Sequence, residues 1–449
     1  MVEGPAVVEY AGPKAHWERE VGIKRRTAAA LFYSLQPLML TAVTFPAMVY
    51  MIRALKAEAW GQWTTATALT ATVGVLTNLG LRGPFVRAVA QNPESGGEAL
   101  AEQLGVRLVL SIAAGMVAVG AAAVMWWMGR YSLTTLECTM VAALAMVFTT
   151  MAATACDLLQ ALQRLTLVAC VPLVSGVTLI SAAVWAVWSG LGPVGVAGAY
   201  ATGPILVVPL VLWVVHRNYY PVRISFKIQR SLSLLWGGRY FAFQQFIASG
   251  SQNIAALMVS GLLGAKPFGY FSAGSVPADR LTAIPDGLAG AAYPAAAQAA
   301  KKGGAAVMRV FWHYLGLALL VTVPAAVSVS LLARPIARLL FKEDPEICEV
   351  VILITIWLLP LTSVEYVLSY VLNALHKDAA QAKASLWGAL HIVLAIVLVW
   401  KFGWVGACWA AVLRPVVRVA VILPCTVQTL GPLWRESRKG AAVEVAEVV

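Results

Sequence analysis

Two arginines four positions apart, Arg414 and Arg418, interrupt an apolar stretch near the C-terminal end of the chain. That spacing puts both guanidiniums on one face of a helix. They lie about ten and fourteen residues into the stretch, too deep to snorkel easily to an interface. No acidic residue accompanies them there. An ionisable group in mid-membrane costs about 2.5–3.5 kcal/mol on insertion scales, so its presence asks for a role. Guanidinium stays charged when desolvated and grips phosphate through paired hydrogen bonds. Binding of a phosphate or diphosphate is the chemistry this pair suggests. Pairing with carboxylates of other helices is the plainer alternative.

Further charged residues sit in apolar surroundings. Arg280 adjoins Asp279, and Asp286 follows seven residues on, with Pro277 and Pro285 close by. Prolines free backbone carbonyls and bend helices. Arg280 either meets a substrate while an aspartate titrates or pairs with it, or closes an internal ion pair. Arg239 and Arg82, near the inner ends of their stretches, could form a vestibule for phosphate or reach lipid headgroups. Arg53 could act likewise at an outer end, whereas Arg87 reads first as an anchor. Glu365, beside Tyr366 and near Tyr370, suits a counter-ion for Arg414 or Arg418, or a carrier of protons or cations. His391 titrates near neutral pH when free, although a lone histidine in a polar interior is more often simply hydrogen-bonded. Gln36, Gln244, Gln245, Gln252 and Asn253 give two stretches a polar stripe, suited to sugar hydroxyls or to holding helices together.

The elements that must position these residues are membrane helices. The 449 residues are 60% hydrophobic and 12% charged, with a mean hydropathy of +0.77. Soluble domains are nearer half apolar and a quarter charged. Apolar stretches of about 20 residues, enough to cross a bilayer, fall near 28–52, 61–83, 105–128, 134–156, 165–188 and 194–215. Six more fall near 236–262, 268–292, 310–333, 347–373, 383–400 and 404–428. The expected fold is all-α and integral to the membrane, with about 12 transmembrane helices. A polar N-terminal segment, 1–26, precedes a first lobe at 27–216. A linker at 217–235, carrying Arg217, Arg223, Lys227 and Arg230, leads to a second lobe at 236–430 and a tail at 431–449. With the N-terminus inside, Lys and Arg divide about nineteen inside to eight outside, so both termini are expected to be cytoplasmic.

The net charge of +12 lies mainly in short loops. Headgroup contact explains it better than nucleic acid, which is not expected as a partner. Six cysteines stand singly without metal-ligand spacing, so no disulfide framework or metal site is expected. No P-loop or catalytic triad is legible, and no cofactor is expected. The segment Lys301–Ala306 lacks the Lys-Ser/Thr ending of a phosphate cradle.

The two halves carry a repeat. Residues 52–63, IRALKAEAWGQW, align with residues 260–271, SGLLGAKPFGYF, matching Leu55 with Leu263, Ala57 with Ala265 and Gly61 with Gly269. Each piece falls between its lobe's first and second helices. Six helices per repeat orient both lobes alike and place a site between them.

Residues 53–69 (RALKAEAWGQWTTATAL), TNLGLRGPFVRAVAQ at 77–91 and SGLLGAKPFGYFSAGSVPADRLTAIPDGLAGAAYPAAAQ at 260–298 resemble the polysaccharide-transporter proteins. ARPIARLLF at 333–341 adds to the likeness. These are lipid-linked oligosaccharide (O-antigen type) flippases of the multidrug/oligosaccharidyl-lipid/polysaccharide exporter superfamily. The resemblance runs over most of residues 25–430. It implies two pseudo-symmetric six-helix bundles around a central cleft, working by alternating access in a prokaryotic plasma membrane. The implied substrate is a polyprenyl-diphosphate-linked glycan, with membrane lipids and possible polysaccharide polymerase and export machinery as partners. Many members have an acidic residue in the seventh helix where this chain has Asn253, which argues against a cation site there.

A cation-coupled multidrug antiporter of the same superfamily would want buried carboxylates in the first lobe. Glu58, Glu137 and Asp157 all read as near helix ends. A membrane glycan polymerase or ligase is the more remote alternative. The chain is expected to be a transporter and not an enzyme.

Overall fold

The computed structural model describes residues 23–78, 81–226, 253–300, 303–342, 344–375 and 389–446. Those residues are almost wholly helical and include no strand. Within a bilayer, backbone polar groups must be satisfied inside each segment, which leaves helices as the solution for apolar runs of this length.

The first lobe holds α1 (Ile23–Gly74), the short α2 (Arg82–Gln91), α3 (Gly96–Trp127), α4 (Leu133–Ala161), α5 (Leu165–Trp188) and α6 (Gly192–Asn218). α1 is two spans meeting at Lys56, whose φ of 61° and ψ of 175° break the helix. The described part of the second lobe holds α7 (Asn253–Leu263), α8 (Ala265–Leu281), α9 (Ala283–Ala300), α10 (Gly304–Leu331), α11 (Ala333–Leu340), α12 (Pro345–Thr355), α13 (Leu358–Ala374) and α14 (Ala389–Ala446). α14 is again two spans, meeting at Gly403 (φ 60°). Together these account for the two expected sets of six spans, the seventh described only from Asn253. Eight described helices are long and apolar enough to cross a membrane.

Several bounds differ from those read in the sequence. The second span ends near Thr77, and residues from Arg82 start a separate helix. Asn78 accepts from the Arg82 backbone N–H at 3.3 Å, marking the corner. α3 begins at Gly96, nine residues before its apolar run, because Leu100 and Leu104 already form a buried stripe. The eighth stretch breaks at Thr282, ahead of Pro285, and the tenth breaks between Thr355 and Leu358, ahead of Pro360. Proline cannot donate to the preceding turn. Residues 333–340, expected in a loop, form an amphipathic helix with Ala333, Ala337 and Leu340 buried and Arg334 exposed. The last helix continues through Ala446 without a break at 430.

The described part of the linker lies along the start of α3. Ser225 donates its backbone N–H to Ala101 O at 3.0 Å, and Tyr220 Oη donates to Pro93 O at 2.6 Å. Gly105 faces the carbonyl of Ser225 so closely that a Cβ would overlap it. Burial raises the Tyr220 phenol above its ordinary range, so it stays protonated as a donor.

The repeat is visible as geometry. Gly264, which aligns with Lys56, has φ 92° and ψ 179°, so both halves turn at the same register. Beyond these turns the second half of α1 crosses α8. A Cβ on Gly61 would overlap the Ala265 carbonyl, and one on Gly269 would overlap the Ala57 carbonyl. Two pairs of aligned residues thus make the same contact in opposite senses, as a pseudo-twofold axis requires. Hydroxyls join the lobes beside them, with Thr64 Oγ1 3.1 Å from Ser272 Oγ and Thr65 Oγ1 2.7 Å from Ser260 Oγ. A core of Met51, Ile52, Trp60, Tyr270, Leu340 and Ile352 bridges the lobes at this end.

Candidate functional site

Away from the hairpin turns the lobes part around a cavity of about 540 Å³. The first lobe contributes Met48, Trp60, Trp63, Thr64 and Thr67, and the second Asn253, Ser272, Ser275, Asp279, Tyr366, His391 and Arg414. Its wall is therefore aromatic and hydroxylic, with charge at one place. A cavity in the first lobe, about 620 Å³, shares Trp63, Thr67 and Ala71 with it and reaches Asn78, Arg82, Arg107 and Asp157.

Arg414 and Arg418 separate in role. Arg418 Nη1 lies 2.7 Å from Glu365 Oε1, and Glu365 is buried. The counter-ion alternative is thus the arrangement seen for this pair, with Glu365 supplied by α13. Arg414, only 8% exposed, has no ion pair or hydrogen bond among the described residues. It faces the cavity that Asp279 also lines, yet the two do not close into a salt bridge. A buried guanidinium without a partner is costly, and an anion in the cavity would compensate it.

Asp279 is exposed to the cleft, so α8 carries it to the wall. Arg280 makes no ion pair with Asp279 or Asp286; its Nη2 lies 3.4 Å from Met48 Sδ, across the lobe boundary. Asp286 accepts from Tyr370 Oη at 3.2 Å. His391 is buried, with Nε2 2.7 Å from Ala410 O, which fits an Nε2–H donor; Nδ1 has no partner among the described residues.

Asn253 lines the central cavity. Gln36 lies elsewhere, in a cavity of about 340 Å³ between α1, α4, α5 and α6. Arg53 lies at the hairpin end, where it lines a fourth recess with Lys56, Tyr50 and Lys342. Arg239, Gln244, Gln245 and Gln252 lie outside the described residues.

Arg82 stands at the opposite end from Arg53. Its Nε is 2.9 Å from Asp157 Oδ1, and its Nη2 donates to Gln160 Oε1 at 2.9 Å. The second oxygen of Asp157 holds Arg107 Nη2, also at 2.9 Å. Arg107 and Asp157 were not singled out as site residues from the sequence, where Asp157 reads as near a helix end. The structure buries them to 2% and 5% exposure. Arg107 falls on the stripe Leu100, Leu104, Arg107, Ser111, whose helical spacing could have marked it as inward-facing. The first lobe thus does bury carboxylates, contrary to the sequence reading: Glu102, and Asp157, which two guanidiniums share.

A model of the family described as "Polysaccharide biosynthesis protein" matches residues 31–300, and a MatE model matches residues 241–398. No match was found among curated proteins. Among solved structures, the chain is similar to an inward-facing multidrug resistance MATE family transporter of the MOP superfamily, at TM-score 0.70 and 12% identity. That alignment covers 90% of this chain and 99% of the other. It is similar to the lipid II flippase MurJ in an inward closed conformation, at TM-score 0.70 and 14% identity, over 92% and 90% of the two chains. A MOP superfamily transporter from Pyrococcus furiosus Vc1, described as having a binding pocket of reverse polarity, aligns at TM-score 0.61 and 15% identity. It is covered to 96%, with 91% of this chain.

Proposed function

We propose that this chain, which belongs to the polysaccharide biosynthesis protein family, is a flippase that carries a polyprenyl-diphosphate-linked oligosaccharide between leaflets by alternating access. The observation that carries this reading is Arg414. It is buried, unpaired among the described residues, and set in the wall of the cavity between the lobes. A diphosphate supplies the charge it lacks through a paired contact. The surrounding tryptophans and hydroxyls suit a glycan, whose ring faces stack on aromatics and whose hydroxyls exchange hydrogen bonds. The lipid tail remains in the bilayer, outside the gap between the lobes. The chain is a transporter and not an enzyme. In this reading it sits in a prokaryotic plasma membrane, with the end bearing Arg82 facing the cytoplasm.

Multidrug antiport is the second reading, and the similarity to MATE transporters favours it. Cation exchange needs a carboxylate that can release one partner for another. Asp157 is held by two arginines and Glu365 by one. Asp279 is the acid left open to the cavity, and it shares that cavity with Arg414.

The test is complementation of a flippase-deficient strain, with surface glycan, accumulated lipid-linked precursor and membrane expression all quantified. Wild-type protein restores glycan, and Arg414→Ala loses it with precursor build-up at normal expression. Failure to restore glycan in several pathways, together with reduced accumulation of cationic dyes, would favour the antiporter. Full activity of Arg414→Ala would remove the diphosphate role from this residue.

A further inference from the structure

The charged cluster of the first lobe is not used by the central site. Asp157 receives Arg82 on one oxygen and Arg107 on the other, each at 2.9 Å. Arg107 also donates to Thr154 Oγ1 and Asn78 Oδ1, both at 3.1 Å. Its buried Nε has no partner among the described residues. Two guanidiniums against one carboxylate leave the cluster one positive charge in excess, on the wall of the first-lobe cavity. Arg107 is buried and Arg82 about half-exposed, so the excess charge is presented at the cavity wall, where an anion can meet it.

The same two residues, Arg82 and Asp157, also line the smaller cavity that contains Gln36. Its remaining wall is mainly apolar, with Val168, Val171 and Pro172 from α5 and Val207 from α6. The cluster therefore stands between two cavities, one bearing the hydroxyls of Thr67, Thr70 and Thr150 beside Asn78, the other the valines of α5 and α6. A molecule with a phosphate at one end and a hydrocarbon chain at the other matches both sides at once. We propose that Arg82, Arg107 and Asn78 form a second phosphate site, for a lipid-linked phosphate or diphosphate whose chain runs along the α5 groove. Asp157 acts there as a positioning residue, holding the two guanidiniums apart at a fixed spacing. The ligand class follows from the transport reading, but the site does not depend on Arg414.

The experiment titrates the full-length protein in detergent with geranylgeranyl diphosphate, geranylgeraniol and inorganic pyrophosphate, by calorimetry. It is run in wild type and in an Arg414→Ala background, where the central cavity contributes least. The expected result is that geranylgeranyl diphosphate still binds in the Arg414→Ala background, at least ten-fold tighter than either fragment. Adding Arg107→Lys, which keeps the charge and removes the fork, weakens it at least ten-fold. Because Arg107→Gln alone leaves the buried Asp157 with Arg82 as its remaining ion-pair partner, Arg107→Gln/Asp157→Asn is the second variant, and it too loses binding. Val171→Trp, which fills the groove, weakens geranylgeranyl diphosphate and leaves pyrophosphate unchanged. Wild-type affinity in Arg107→Gln/Asp157→Asn would reduce the cluster to a structural ion pair. Pyrophosphate binding as tightly as the lipid would overturn the groove. Loss of all binding with Arg414→Ala alone would overturn this site and leave the central one standing. A stoichiometry that falls from two to one with Arg414→Ala keeps both sites, whereas a single wild-type site, untouched by Arg414→Ala and lost with Arg107→Lys, would keep this site and remove the central one.

Discussion

Thr64 and Ser272 stand 208 positions apart, at the same register of the two repeats, and hydrogen-bond to each other at 3.1 Å. Equivalent residues can meet in this way only on the axis that relates the halves. The pair therefore marks where the pseudo-twofold passes through the crossing of α1 and α8. Replacing both with cysteine should give a disulfide under mild oxidant in membranes, read as a mobility shift after cleavage between the lobes. If the crossing opens during transport, the oxidised Thr64→Cys/Ser272→Cys protein is inactive and recovers on reduction. Full activity while oxidised would show that this contact stays closed throughout the cycle.

Gly61 and Gly269 permit that crossing, since a Cβ on either overlaps a carbonyl of the other lobe. Backbone is the obstacle in both cases, so the helices must move apart to make room. Gly61→Ala and Gly269→Ala should each destabilise the closed hairpin end by about 1–3 kcal/mol. The expected readout is slower disulfide formation at positions 64 and 272 in either background. Equal rates would mean that the crossing is not tight.

Lys56 occupies a backbone region that is nearly glycine's alone, and Gly264 fills the equivalent place in the second repeat. Such strain costs on the order of 1–3 kcal/mol. Lys56→Gly should raise the Tm in detergent, whereas Lys56→Ala, which keeps the strain, should not. A Tm that falls equally in both would show that the lysine side chain outweighs the backbone.

Arg418 and Glu365 form a buried pair at 2.7 Å. Glu365→Gln leaves the guanidinium without its counter-charge and should cost about 3–5 kcal/mol. Glu365→Met/Arg418→Met removes both charges together and should recover most of that loss. Thermal unfolding of the wild type, Glu365→Met, Arg418→Met and Glu365→Met/Arg418→Met in a double-mutant cycle measures the coupling, and additivity of the two single changes would refute it.

The class, the paired halves and the junction of each lobe's first two helices were all legible in the sequence. Apolar run length dictates the spans, and the Gly61/Gly269 alignment falls on the observed axis. The helix breaks were less legible. Hydropathy alone runs the eighth stretch through Thr282 and the tenth through Ile356, where prolines interrupt the bonding. The site was legible one residue at a time. Arg414, Asp279 and Asn253 share the central cavity, but Arg82, Arg53 and Gln36 stand apart from it. Sequence depth distinguishes buried from exposed charge and says nothing of which helices meet. Arg107 escaped notice because α3 starts nine residues before its apolar run, which makes a mid-helix residue look terminal.

The described linker reaches α3, a helix neighbouring neither end of the connection in sequence, as well as His216 of α6. Ser225 is fastened to Ala101, and Tyr220 to Pro93, around Gly105. Two residues beyond that glycine is Arg107. The described part of the joint between the halves is fastened to the helix that carries Arg107, so the tether and the grip on Asp157 share one element.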